Sequence, residues 1–306
     1  MTAMIYPTTN PAAAEQMMVT RGEGPYIFDQ QGKRYLEGMA GLWCTALGYG
    51  NEEIIDVAQR QMRDLSFSHM FGGKTHAAAI ELADKLAAMV PMNDGRVFLG
   101  NSGSDANDTL MKLIRYHAEA SGQPNRIKVI AREQGYHGVT LASAALTAIP
   151  TNHTHFQLPF EALGVLRTGS ANYYRGGHDG ESESDFVARR AQELEALILA
   201  EGPDTIAAMI AEPVSGAGGV IVPPAGYFDA VQQVLDRYGI WLWDDEVICG
   251  FGRLGTDFGA TKMGMAPQMI TLAKALSSAY VPISAAIVQG DIADCIGASA
   301  TDVGVF

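Results

Sequence analysis

The sequence predicts an α/β protein with a mostly parallel central sheet flanked by helices. Short apolar segments of strand length alternate with longer segments of helical periodicity over most of the chain, and this alternation is typical of strand–helix–strand units. Apolar residue types make up 47% of the chain and charged residues 18%, which is enough apolar material for a sizeable core. The chain has 306 residues, so it is long enough for one large domain with an appendage, or for two domains.

The predicted elements follow in a regular order. An irregular or partly helical arm is expected over residues 1 to about 20, followed by a hairpin over 25–37. Asn51 is a plausible helix cap, and two helices are expected before the alternation begins, at 51–63 and 75–90. Strands are then expected at 96–99, 127–130, 206–210, 240–243, 269–272 and 283–288, and helices at 104–120, 140–146, 185–199 and 226–238. The polar, glycine-rich stretch from Pro150 to Ser184 predicts a long loop, and loops of this length are often functional.

The net charge of −13 argues against polyanionic partners, so neither nucleic acid nor an anionic membrane surface is expected to bind. The beginning of the sequence has no basic segment followed by an apolar core, and we expect no secretory signal and a cytoplasmic protein. Three widely spaced cysteines argue against a disulfide framework or a zinc site. His153, His155 and His178 have no acid at ligand spacing beside them, so no metal is expected.

Lys274 and Asp245 form the most informative pair in the chain. Each follows an apolar segment, and they lie about thirty residues apart, roughly one strand–helix–strand unit. A lysine amine and a carboxylate on neighbouring strand ends are what pyridoxal phosphate needs, because the lysine forms a Schiff base and the acid keeps the pyridine nitrogen protonated. The alternative is ordinary: a lysine at a solvated strand end and an aspartate in a turn.

Three further segments have both a functional and a structural interpretation. The small residues around Gly103 and Ser104 begin a helix and can hold a phosphate, or they can form an ordinary cap. Tyr136 can stack on a flat ring or cover the loop beneath it, and His137 can donate a proton or simply be hydrogen-bonded in the loop. Glu212 follows a strand at the edge where ligands bind in such sheets, or it is a salt-bridged residue there.

The acidic segment after residue 243 requires a choice between carboxylates. Because side chains alternate along a strand, Asp245 and Val247 should lie on one side, and Asp244 and Glu246 on the other. An acid beneath a pyridine nitrogen and a valine beneath the ring fit the same side. The GxGxxG pattern at 250–255 resembles a dinucleotide motif, but no capped helical periodicity follows it, so we do not expect a nucleotide there.

Taken in order, these segments resemble class III pyridoxal-phosphate-dependent aminotransferases of fold type I. The resemblance extends from the hairpin near Asp29 to the last residue, and the segment Met39–Cys44 looks most like the ω-amine:pyruvate transaminase branch. The matching segments are Asn101–Ser104, Gly135–Gly138, Ala211–Pro213, Asp245–Val247 with Gly250–Arg253, and Ala273–Lys274.

The resemblance implies a role for each matching residue. Lys274 would form the Schiff base and move protons during the reaction, Asp245 would hold the pyridinium, and Trp43 would shape the amine pocket. The remaining cofactor-binding residues would be Gly103, Ser104, Tyr136, His137, Glu212 and Val247. The reaction would be ping-pong: a small-molecule amine leaves its amino group on the cofactor, and a keto acid such as pyruvate collects it.

The resemblance also implies a domain organisation. Residues 1–58 would form an N-terminal arm and the N-terminal part of a small domain, and 59–306 the large cofactor-binding domain. Family members continue well beyond a position like Phe306, so the C-terminal part of the small domain is expected to be absent and the chain to be truncated. The full-length protein is expected to be a homodimer.

Two other functions use the same residues. An aminomutase, racemase or decarboxylase would need the same Lys274 and Asp245, because the cofactor supplies the chemistry. An inactive fragment that binds the cofactor or a partner without turnover is the third interpretation.

Overall fold

The computed structural model describes residues 3–10 and 16–300. The chain divides into two compact units, Met1–Ser66 and Phe67–Phe306. The domain boundary expected after residue 58 falls within the helix Glu52–Asp64, which lies in the first unit, and the domain organisation stays a prediction.

The first unit contains an antiparallel sheet of three strands within the described residues: β1 (Val19–Glu23), β2 (Tyr26–Asp29) and β3 (Arg34–Leu36). The predicted hairpin is β2 and β3, whereas β1 begins inside the segment expected to be an irregular arm. A short left-handed turn, α1 (Ala40–Trp43), and the helix α2 (Glu52–Asp64) follow. Asn51 caps α2 as predicted, since its side chain accepts a hydrogen bond from the Ile54 amide at 3.2 Å.

The second unit contains the central sheet, with seven strands among the described residues in the order β4-β10-β9-β8-β7-β5-β6. Strands β5 to β9 pair in parallel, and only β10 pairs antiparallel, with β9 and β4 on its two sides. The predicted mostly parallel α/β fold is therefore confirmed. The strands are β4 (Arg96–Gly100), β5 (Lys128–Arg132), β6 (Val165–Thr168), β7 (Ile206–Ala211), β8 (Trp241–Asp245), β9 (Met269–Leu272) and β10 (Ser284–Val288).

Helices pack against this sheet through their apolar faces. In the helix after β4, apolar side chains recur at helical spacing, and Leu110 and Ile114 are fully buried. Each such burial stabilises the fold by about 1.5–3 kcal/mol. The helices are α3 (Ala77–Met89), α4 (Gly103–Ala120), α5 (Leu141–Leu146), α6 (Phe160–Leu163), α7 (Tyr173–Gly176), α8 (Glu183–Glu201), α9 (Tyr227–Arg237), α10 (Gly259–Met263) and α11 (Gly290–Ser299).

None of the helices in the described part of the chain combines the length and the apolar composition that a membrane crossing needs.

The prediction of one long loop between Pro150 and Ser184 is wrong, because the segment contains regular elements. The segment contains strand β6, which pairs in parallel with β5 through Val129 opposite Val165. The strand is only four residues long and half-buried at the sheet edge, so its local sequence has neither a fully apolar run nor a clean alternation. The rest of the segment is short helices and turns, and β6 extends the sheet by one strand.

The topology brings several strand ends together. Because β10 is antiparallel to both β4 and β9, the strands β4, β5, β7, β8 and β9 all run in the same direction. Their carboxyl ends therefore meet at one edge of the sheet, which is where α/β proteins place their ligand sites.

Candidate active site

A cavity of about 360 Å³ opens at this edge of the sheet. Side chains from the ends of β4, β5, β7, β8 and β9 line it, and these strands are far apart in the sequence. Eight of the predicted site residues line the cavity together: Gly103, Ser104, Tyr136, His137, Glu212, Asp245, Val247 and Lys274. Trp43 lies in the first unit, within α1, and its role in an amine pocket stays a prediction.

One end of the cavity is formed by the beginning of helix α4. Ser102 and Asp105 form a capping box, in which the Ser102 hydroxyl accepts from the Asp105 amide and the Asp105 carboxylate accepts from the Ser102 amide. The helix leaves the amides of Gly103 and Ser104 without intrahelical partners. The helix dipole adds partial positive charge at the same place, so this end of the cavity suits an anion such as a phosphate.

Small residues let the backbone approach closely at this end. A Cβ added to Gly138 would lie 2.4 Å from Ser104 Oγ, and one added to Gly103 would lie 3.0 Å from a Val247 methyl group. Ser104 Oγ also accepts a hydrogen bond from the Val139 amide at 3.0 Å, which holds the loop after His137 against α4. The two glycines are therefore needed for the shape of the cavity.

Asp245, at the end of β8, carries the buried negative charge of the site. It is 2% exposed, and all of the hydrogen bonds recorded for it come from nitrogen atoms. Oδ1 accepts from the Val247 amide at 3.1 Å, and Oδ2 lies 2.7 Å from His137 Nδ1. His137 is thus not a free loop residue but the direct neighbour of the carboxylate.

Glu212 connects two walls of the cavity. Its Oε1 accepts from the Tyr136 amide at 3.1 Å and its Oε2 from the Gly216 amide at 2.8 Å. Burial raises the pKa of Glu212; His137 opposes this rise and Asp245 adds to it. Burial also raises the pKa of the Tyr136 phenol, so the ring is neutral at ordinary pH. Glu212 was expected at a salt bridge or at the cofactor, and in the structure it holds Tyr136 in place.

Lys274 follows β9 and begins a short 3₁₀ turn. Among the described residues that line the cavity it is the one amine. Its φ is +47°, and Ser278 and Ala279 in the same segment also have positive φ values, +51° and +64°. Non-glycine residues rarely adopt this region, and strained backbone of this kind clusters at functional sites, where the surrounding fold holds it in place.

Two residues that sequence reasoning missed lie directly behind Asp245. Asn107 is 0% exposed on the sheet-facing side of α4, and its Nδ2 lies 3.3 Å from Asp245 Oδ2. Thr271, in β9, donates its hydroxyl to Asn107 Oδ1 at 2.6 Å. The sequence signal that could have identified Asn107 is a single amide on an otherwise apolar helix face, one turn after Ser104.

The other two acids of this segment lie outside the cavity, as the strand alternation predicts. Asp244 and Glu246 do not line it, and Glu246 instead accepts a hydrogen bond from the Ala260 amide. Burial raises the pKa of Asp244 well above its ordinary value, and the neighbouring Glu246 carboxyl raises it further. Within the described chain neither Asp244 oxygen has a donor N–H or O–H. Burial and the neighbouring carboxyl therefore favour the protonated form of Asp244.

Replacing Asp244 with asparagine is expected to make the protein more stable at alkaline pH than the unmodified chain. Since the folded-state pKa of Asp244 lies above the unfolded one, the folded state binds more protons and the free energy of unfolding falls as pH rises from about 4. Asparagine has no proton to lose, and its amide can donate to Glu246. Urea unfolding at pH 5 and pH 8 should show a gain of about 1–3 kcal/mol that is larger at pH 8.

The exposed Asp229 provides the matched control, because Asp229→Asn changes the same charge in a solvated position. A difference between Asp244→Asn and the unmodified chain that does not change with pH would contradict the raised pKa of Asp244.

The structure also shows the surroundings of the GxGxxG pattern and of the candidate metal ligands. The segment 250–255 forms turns, and the next helix, α10, begins only at Gly259, so no helix opens on the GxGxxG pattern. No group of three or more His, Cys, Asp or Glu side chains within residues 3–10 and 16–300 is arranged to hold a metal.

The residues of the cavity fit pyridoxal phosphate. The beginning of α4 and the close approach at Gly138 provide an anion site, and Lys274 provides an amine for the aldehyde. Asp245 provides a buried carboxylate, which suits a cationic ring nitrogen. Tyr136 and Val247, which also line the cavity, provide an aromatic and an apolar surface for a flat ring.

Comparisons with known proteins show similarity over most of the chain. Residues 9–302 match the family model described as aminotransferase class-III. The chain is 47% identical over 293 residues to a probable gamma-aminobutyrate transaminase 2, mitochondrial, of Oryza sativa subsp. indica, covering 95% of this chain and 59% of that protein. It is 45% identical over 293 residues to a vanillin aminotransferase of Capsicum annuum, covering 95% of this chain and 63% of that protein.

The chain is also similar to solved transaminase structures. The fold superposes on an omega transaminase from Pseudomonas jessenii, crystallised in complex with PMP, with a TM-score of 0.94 and 47% sequence identity. The match covers 96% of this chain and 65% of that one. The chain thus spans about three fifths of the length of the curated relatives it matches.

Proposed function

The chain belongs to the class III aminotransferase family, and from that premise we propose that it transfers the amino group of a small primary amine to a keto acid, with pyridoxal phosphate as cofactor. One observation carries the proposal: Lys274, the one amine among the described residues lining the cavity, shares that cavity with the buried carboxylate of Asp245. The family match and the transaminase relatives support it. They also favour transamination over an aminomutase or decarboxylase.

The cofactor, when bound, supplies an electron sink that makes the carbon next to the substrate nitrogen acidic. The residues of this chain would then have separate roles. Lys274 Nζ would hold the cofactor through its aldehyde and would move a proton to and from the substrate carbon. The buried carboxylate of Asp245 would stabilise positive charge on the ring nitrogen. The amides of Gly103 and Ser104 would hold the phosphate at the beginning of α4.

The donor that we propose is an ω-amine, of the 4-aminobutyrate or β-alanine type, and the acceptor is pyruvate or a similar keto acid in a ping-pong reaction. The apolar residues Ile248, Val281 and Ile283 line the same cavity and can contact the alkyl part of such a donor. Relatives named for gamma-aminobutyrate, for vanillin and for omega-transamination support this class of substrate. A homodimer and a cytoplasmic location stay predictions; several relatives carry mitochondrial names.

The test uses the two halves of the reaction separately. The purified chain with pyridoxal phosphate is expected to show a visible absorbance band, and borohydride followed by peptide mapping should locate the label on Lys274. Addition of 4-aminobutyrate or β-alanine alone should bleach the band, and pyruvate should restore it while alanine accumulates. Release of carbon dioxide, or isomerised amine formed without a keto acid, would contradict transamination in favour of the other two reactions.

A further inference from the structure

A continuous chain of buried hydrogen bonds leads from the core of the second unit to Asp245. Trp243 Nε1 donates to Thr271 Oγ1 at 2.8 Å, and Thr271 Oγ1 donates to Asn107 Oδ1 at 2.6 Å. Asn107 Nδ2 then donates to Asp245 Oδ2 at 3.3 Å. Trp243, Thr271 and Asn107 are each 0% exposed, so no bulk water competes for these bonds. Trp243, Thr271 and Asn107 do not line the cavity.

The direction of every bond in this chain is determined by its two ends. The Trp243 indole nitrogen can only donate, so the Thr271 hydroxyl must use a lone pair towards Trp243 and its hydrogen towards Asn107. At the other end, Asn107 Nδ2 also donates to the His137 backbone carbonyl at 2.6 Å, and a carbonyl can only accept. The amide of Asn107 therefore has one allowed orientation, with its NH₂ group towards Asp245.

This orientation constrains where protons lie at Asp245. Oδ1 faces the Val247 amide, and Oδ2 faces Asn107 Nδ2 and His137 Nδ1. Two of these three neighbours can only donate, whereas His137 Nδ1 can donate or accept. His137 Nε2 is buried and has no hydrogen-bond partner in the described chain, so a hydrogen on it would be left without an acceptor. This places the hydrogen between the two side chains on His137 Nδ1, with Asp245 Oδ2 as its acceptor.

We propose that Asn107, oriented by Thr271 and Trp243, is a positioning residue that holds the Asp245 carboxylate in place and keeps the hydrogen between Asp245 and His137 on His137 Nδ1. The proposal rests on the proposed function, since it explains how the carboxylate is prepared for a cationic cofactor ring. A carboxylate that accepts from three donors has little freedom to rotate, so it stays directed at one position in the cavity.

Other charged groups around the pair do not replace this role. Glu212 lies close enough to interact with both His137 and Asp245, but its two oxygens are occupied by backbone amides. Burial and the nearby Asp245 raise the pKa of both Asp244 and Glu246, and these two residues lie outside the cavity. Lys274 and the Tyr136 phenol share the cavity with Asp245 and are not part of the series of hydrogen bonds. The position of Asp245 Oδ2 therefore depends on Asn107 and His137.

The experiment measures the tautomer of His137 by ¹⁵N NMR in the cofactor-free protein, with the resonance assigned from His137→Gln. In the unmodified chain, Nδ1 should be protonated and Nε2 bare. Thr271→Val has nearly the same shape but no hydroxyl, so Asn107 Oδ1 is left buried without a donor and the amide is held only through its NH₂ group. The expected result is a mixture of tautomers and a dissociation constant for pyridoxal phosphate raised about tenfold. Thr271→Ser keeps the hydroxyl and should restore the protonated Nδ1.

A second variant keeps the test decisive if Thr271→Val does not fold. Trp243→Phe removes the indole donor and releases the Thr271 hydroxyl, so it should also produce mixed tautomers. If either folded variant retains a fully protonated Nδ1 and the cofactor affinity of the unmodified chain, the proposal is wrong. The tautomer is measured without cofactor or substrate, so a chain that fails to turn over any amine but shows the expected tautomers would overturn the proposed function and leave this inference standing.

Discussion

Lys274→Ala is expected to abolish covalent attachment of pyridoxal phosphate and to remove transamination. The variant lacks the amine that binds the aldehyde, and no other amine among the described residues lines the cavity. The proton-transfer role alone accounts for a loss of roughly 10²–10⁴-fold, and loss of the attachment adds to it. The phosphate site at Gly103 and Ser104 is unchanged in the variant, so the cofactor should still bind, but without a covalent link.

The measurement combines absorbance, borohydride trapping and turnover with an amine and pyruvate. Lys262→Ala is the matched control, because Lys262 is an exposed lysine of α10 and not a cavity residue. The control should keep the visible band, the label on Lys274 and full turnover. Since alanine leaves space where the side chain was, a small added amine should restore part of the rate. Near-normal turnover of Lys274→Ala would remove the basis of the proposed function.

The pairing of Lys274 with Asp245 could be predicted because the relevant information is local. Each residue directly follows an apolar strand, and strand ends in a parallel sheet meet at one edge. The structure confirms that β8 and β9 are neighbours, with Asp245 opposite Thr271 in the register. The choice between the neighbouring acids was also local, since alternation along the strand separates Asp245 from Asp244 and Glu246.

The role of Asn107 could not be predicted in the same way. Its partners are a carbonyl in the loop after β5 and a hydroxyl in β9, which lie 30 and 164 positions away in the sequence. No local pattern records such contacts; they exist only after the sheet has placed β9 beside β8 and α4 across both. A buried amide on an apolar helix face is a signal that something polar must satisfy it, but the sequence does not tell which group does.

Strand β6 shows the opposite difficulty, a regular element with almost no local signal. Edge strands are short and half-solvated, so their composition resembles that of a loop, and β6 is identified only through its pairing with β5. The left-handed turn at Ala40–Trp43 is similar, since nothing in its sequence except Gly41 favours positive φ values.

Asp245→Asn is expected to keep part of the cofactor binding but to lose most of the rate. The isosteric amide removes the buried negative charge that stabilises a protonated ring nitrogen, and removal of a comparable electrostatic group costs roughly 10²–10³-fold in rate. The hydrogen bonds make the effect larger than a simple loss of charge. If the amide nitrogen takes the place of Oδ2, it faces Asn107 Nδ2 and His137 Nδ1; if it takes the place of Oδ1, it faces the Val247 amide.

Either orientation places donors against a donor in a buried site, so the variant must also rearrange its neighbours. We therefore expect His137 to lose its Nδ1–H form in Asp245→Asn, together with a fall in kcat that exceeds the change in cofactor affinity. Asp244→Asn is the matched control: it alters the adjacent residue of the same strand, but on the side away from the cavity, and should keep the full rate. Unchanged turnover in Asp245→Asn with a loss in Asp244→Asn would move the role to the opposite face of β8 and contradict the site described above.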